Sequence, residues 1–187
     1  MPLLRLAPLA LAAALLAPAA PAVAQHGGHG HARHGQGGHA MPYAGFQGRE
    51  AAGLSAEDAA GLRAGRGMAL ALPAELNGYP GPMHALELAD QLGLSPAQRA
   101  TMERLRAAML AEAVPLGEAL IAAERALDAV FARGAATAAE VDAAVTSAAL
   151  AHGRVRAAHL RTHLDTRDAM TEAQRATYAR LRGYASP

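Results

Sequence analysis

The chain has 187 residues, enough for one domain with appendages, and no cysteine, which excludes disulfides, thiolate metal centres, cysteine nucleophiles and a lipidated N-terminal cysteine. A formal charge of +1 with no block of basic residues gives a nucleic-acid partner no footing. Aromatic residues make up 3% and tryptophan is absent, so Leu, Met, Val and Ala must build the core, a palette that suits packed helices.

Residues 1–24 have the order of a secretory signal peptide. Arg5 is the positive start, Leu6 to Leu16 the apolar stretch, and Ala22-Val23-Ala24 the small-x-small cleavage triplet. The mature chain is expected to begin at Gln25 and to work in the periplasm with no membrane span after cleavage. Residues 25–40 follow as a leader rich in glycine and histidine, too polar to bury a core. Its His26, His29, His31, His34 and His39 are candidate ligands for a zinc, copper or nickel ion, because neutral imidazoles on a pliable strand can wrap one cation.

Residues 41–93 read as an adapter of short helices. Ser55 with Asp58 predicts an N-cap, and Gly65 and Gly67 a stop. Asn77-Gly78-Tyr79-Pro80-Gly81-Pro82 is a dense turn signal, and Pro82 is expected to open a helix carrying Leu86, Leu88 and Leu92 to a stop at Gly93. His84 stands alone there and reads as a surface or packed side chain.

Residues 94–183 form the main unit. Leu94-Ser95-Pro96-Ala97-Gln98 is a capping box with proline at the first helical position, and Met170-Thr171-Glu172-Ala173-Gln174 is a second box. From Met102 through Leu105, Met109, Ala113, Leu116, Leu120, Ala123 and Leu127 to Val130, apolar residues recur at steps of three and four, the seam of one long helix. Pro115 inside it removes one backbone hydrogen bond and predicts a kink near Ala111. Gly134 ends that helix, and Thr137 with Glu140 caps the return. The return helix places Val141, Val145, Ala148, His152, Val155, His159 and His163 near one stripe. His159 and His163 are one turn apart, the spacing at which a helix offers two imidazoles to one metal, with His152 about two turns before His159. Leu160 stands where a zinc protease would need its glutamate, and no catalytic constellation or cofactor loop is evident, so no enzyme and no required cofactor is expected. The exposed seam of a lone hairpin predicts a homodimer.

The paired motifs Leu94, Ser95, Gln98 and Met170, Thr171, Gln174, with Ala157-Ala158-His159-Leu160-Arg161-Thr162-His163 ahead of the second, resemble the Spy/CpxP family of periplasmic proteins. The likeness covers roughly residues 84–182, with Ser95 in place of Thr and Met170 in place of Leu. It implies an all-α fold, a long antiparallel helical hairpin with short flanking helices, assembled as a curved antiparallel dimer. It implies an ATP-independent chaperone that holds unfolded or envelope-stress clients. The alternative is a heavy-metal sensor or buffer, using leader and hairpin histidines and speaking to a regulator protein. A structural envelope bundle that binds a partner through its seam is a third reading.

Overall fold

The computed structural model describes residues 43–184. The expected signal peptide and the histidine-rich stretch, with His26, His29, His31, His34 and His39, lie outside the described residues.

Every helix begins where a backbone reason exists. After a 3-10 turn at Phe46–Gly48, α1 (Ala56–Arg63) starts at Ser55, whose hydroxyl takes the Asp58 amide while Asp58 returns a bond to the Ser55 amide. Helix α2 (Leu72–Glu75) has proline at its second residue and α3 (Pro82–Glu87) at its first, in the opening turn where no amide donor is missed. Ser95 with Gln98, Thr137 with Glu140 and Thr171 with Gln174 launch α4 (Pro96–Ala132), α5 (Ala138–Asp168) and α6 (Glu172–Leu181) through complete capping boxes. Each such cap contributes about 1 kcal/mol. The 37 residues of α4 span about 55 Å at 1.5 Å per residue, and the helix runs through Pro115 without interruption.

Helices α4 and α5 are antiparallel, and polar pairs mark their register. Arg133 meets Glu140 at the tip, Arg161 meets Glu112 midway, and Gln98 reaches the Ala169 carbonyl at the base. The described residues thus form an all-α fold, a long helical hairpin with short flanking helices. No helix among them is long and apolar enough to cross a membrane.

Two apolar clusters hold the short helices to the hairpin. At the base, Ala85, Ala89, Leu92 and Leu94 pack on Met102, Met170 and Tyr178. Farther along, Ala59 and Leu62 of α1 pack on Leu120, Ile121 and Val155. Gly117 makes the second contact possible: a Cβ there would lie 2.6 Å from the Leu62 carbonyl oxygen.

Two expectations need correction. Helix α3 stops at Glu87, and Leu88 to Gly93 form successive turns, with the Leu92 amide on the Leu88 carbonyl and Gly93 at φ +60°. Leu92 still enters the core, but from a turn. In α5 the seam facing α4 and the α1 cluster passes through Ala148, Ala151, Val155, Ala158, Thr162 and Thr166, so His152 and Val145 are exposed. Alanines at 148 and 151 carry the close packing where the sequence stripe had suggested His152.

Candidate functional site

Along α4 and α5, between the residues of the two apolar clusters, lies a polar centre built on Glu75. It terminates α2 and is buried, 7% exposed. Its Oε2 accepts from the Tyr178 hydroxyl at 2.7 Å, and its Oε1 accepts from the Gly81 amide at 3.2 Å and faces His84 Nδ1 at 3.1 Å. His163 Nδ1 donates to the Tyr79 carbonyl at 2.8 Å and stands 4.0 Å from the same Oε1.

The turn at residues 77–82 positions these groups. Gly78, at φ +79°, reverses the chain after α2, and Pro80 and Pro82 hold Gly81 extended so that its amide meets Glu75. A Cβ on Gly81 would come within 2.9 Å of the His163 ring and 3.0 Å of Glu75 Oε1, so only glycine lets the turn close on the cluster.

Burial governs the ionisation here. It pushes the Tyr178 phenol far above its ordinary range, reinforced by the bond to Glu75, so Tyr178 remains a donor. Burial also lowers His159 below the ordinary imidazole value of 6.5, and the neighbouring His163 adds to that, so His159 is neutral at pH 7.

Beside this centre opens a cavity of about 530 Å³, walled by Gly65 to Ala69, by Leu72, Met83 and His84, by Arg106, Met109 and Leu110 of α4, by His159 and His163, and by Arg182 and Tyr184. Two buried side-chain nitrogens among the described residues have no hydrogen-bond partner, His159 Nε2 and Arg182 Nε, and both side chains line this cavity. On its wall Met68 and Ala69 adopt φ of +41° and +61°, a conformation that strains residues with a Cβ by roughly 1–3 kcal/mol.

A second surface feature runs along the outer side of α5. Two shallow depressions, of about 350 and 400 Å³, share Ala157 and Arg161. Leu164, Leu160 and Tyr79 line one, and Leu150, Leu116 and Arg154 the other, with Leu150 58% and Leu164 50% exposed.

Of the expected ligands, His159 and His163 come together in the buried centre, whereas His152 is exposed and apart from it. His84, expected to stand alone, bonds to Glu75. No group of three or more His, Asp or Glu side chains arranged to hold an ion occurs among the described residues. The motif residues are structural: Leu94 and Met170 are core, and Ser95, Thr171, Gln98 and Gln174 form caps. Sequence reasoning missed Glu75, Tyr178 and Arg182. The signal available was slight, one glutamate a few residues before a glycine set between two prolines. No protein-family model, no curated protein and no solved structure matches this chain.

Proposed function

We propose that the chain is a periplasmic ATP-independent chaperone-like protein of the Spy/CpxP type, a homodimer that holds unfolded or envelope-stress clients on its helical surface. The observation that supports this reading is the apolar trough on α5, where Leu150 and Leu164 stand exposed beside Arg154 and Arg161. Exposed apolar area of this kind marks interaction surfaces, and shallow depressions rimmed by arginine suit weak, sequence-tolerant contacts with unfolded chains. The test is suppression of client aggregation by the mature protein without nucleotide. Leu150→Ser with Leu164→Ser should abolish suppression while leaving helix content unchanged. Failure of the unmodified protein at several-fold excess over client would sink the reading.

A second reading, a heavy-metal sensor or buffer acting on a regulator protein, is favoured by the buried His159 and His163 pair one turn apart on α5. In this conformation they lack a third donor, so the leader histidines would supply most of the affinity for zinc, copper or nickel. Calorimetry with each metal, on the mature protein and on a chain starting at Met41, separates tail from hairpin. Retention of tight binding in the shortened chain would place the metal at the hairpin, and loss of all binding would leave the leader alone.

A further inference from the structure

We propose that Asn77 is a site of self-modification, converted through a cyclic imide with Gly78 to aspartate or isoaspartate. The product loosens the turn that shapes the polar centre on Glu75. Asn77 is the sole asparagine of the chain, and glycine follows it. The inference rests on neither functional reading above.

The geometry leaves the reacting groups open. Asn77 and Gly78 are both exposed, and nothing lies within 4 Å of the place a Gly78 Cβ would take. The turn closes by a bond from the Tyr79 amide to the Ala74 carbonyl, which passes over Gly78. The Gly78 amide itself donates no hydrogen bond among the described residues, and no side chain screens it, so its nitrogen is free to lose a proton and attack. With hydroxide taking that proton, the nitrogen bonds to Asn77 Cγ. The Cγ–Nδ2 bond breaks, and Nδ2 leaves as ammonia with a proton from water. Water then opens the five-membered imide. Entry at Cγ gives aspartate, and entry at the main-chain carbonyl gives isoaspartate, with one more atom in the backbone.

One restraint sets the pace. Asn77 Nδ2 donates to the Pro73 carbonyl at 2.7 Å, which ties the side chain to α2, and that bond must open before Cγ can meet the Gly78 nitrogen. Helix α2 has only four residues, with Leu72 and Leu76 exposed, so its end opens readily. The same bond makes the modification matter. A carboxylate has no hydrogen to give, so position 77 would then set acceptor against acceptor at the Pro73 carbonyl. The added backbone atom of isoaspartate would also displace Tyr79 and Gly81, whose carbonyl and amide hold His163 and Glu75.

Mass spectrometry of the full mature protein, held in mildly alkaline buffer, reads the reaction. The peptide containing Asn77 should gain about one dalton as a hydroxyl replaces the amide nitrogen, and part of it should accept a methyl group from an isoaspartyl methyltransferase. Asn77→Gln, which would need a less favourable six-membered imide, should abolish the gain. The chain unfolded in urea should react several-fold faster, and the folded chain should still react. Asn77→Asp and the modified protein should both unfold about 3 °C below the fresh chain, the shift of one lost hydrogen bond in a domain of this size. A folded chain of constant mass, beside an unfolded chain that gains, would overturn the proposal, for the fold would then shield Asn77. Mass gain without isoaspartate would overturn it too, since direct hydrolysis needs no Gly78 amide. Unchanged midpoints in Asn77→Asp and in the modified protein would overturn the loosening of the turn.

Discussion

Gln98 and Gln174, 76 residues apart, bond to each other twice: Gln98 Nε2 donates to Gln174 Oε1 at 2.8 Å and Gln174 Nε2 donates to Gln98 Oε1 at 3.1 Å. Each Oε1 also accepts the amide of its own cap, Ser95 or Thr171. Two helix starts are thereby fused into one clamp at the base of the hairpin, and Gln98 adds a bond to the Ala169 carbonyl. A double-mutant cycle reads the fusion. Gln98→Ala and Gln174→Ala should each cost roughly 1–2 kcal/mol, and the double variant should fall short of their sum by about 1 kcal/mol in urea unfolding. Strict additivity would mean that the caps act separately.

Gly117 offers a sharper test of packing. Alanine is the better helix former by about 1 kcal/mol, so in an open helix Gly117→Ala would stabilise. Here the new methyl would meet the Leu62 carbonyl at 2.6 Å, backbone that cannot swing aside. The variant should lose roughly 1–3 kcal/mol, measured by thermal unfolding, because α1 must be pushed off α4.

Tyr178→Phe removes the hydroxyl that serves Glu75 Oε2 and leaves that oxygen buried without its donor. A loss of about 1–3 kcal/mol is expected. Adding Glu75→Gln, which puts a side-chain amide in place of the carboxylate left short of its donor, should recover part of it. A double variant no more stable than Tyr178→Phe would mean that the loss does not come from the orphaned Glu75 oxygen.

Acid stability follows from His159. Its folded pKa lies below the ordinary 6.5, so between those two values the unfolded chain binds the proton that the folded chain refuses. The contribution is therefore absent above about pH 6.5, and stability falls as pH drops below it until the folded value is reached. Urea midpoints taken from neutral pH downward should show this decline, and His159→Leu should flatten it.

Much of the fold was legible because its signals are local. Ser55, Ser95, Thr137 and Thr171 announce their helices within four residues, and the α4 seam from Met102 to Val130 is buried or half-buried as its spacing required. The early end of α3 was not legible, since Leu88 and Leu92 fit a helix as well as the turns they occupy. His152 was misplaced because a histidine in a near-helical stripe looks the same whether or not something covers it. The polar centre could not be read at all: Glu75 and Tyr178 are 103 residues apart, and nothing local to either says that they meet. The same holds for Gln98 and Gln174, whose roles as caps were plain and whose pairing depends on equal travel out and back along the hairpin.

That equal travel constrains how such a chain can change length. The clamp closes both ends of the hairpin at one point, and the reversal at Gly134 lies at the far tip, beyond the α1 contacts at Leu120 and Val155. A heptad inserted into each helix beyond those contacts would lengthen the arm and leave the clamp, the polar centre and both clusters in register. Seven residues added to one helix alone would slide Gln174 away from Gln98 by about 10 Å, at 1.5 Å per residue. Arm length is thus separable from the base, but only in matched steps.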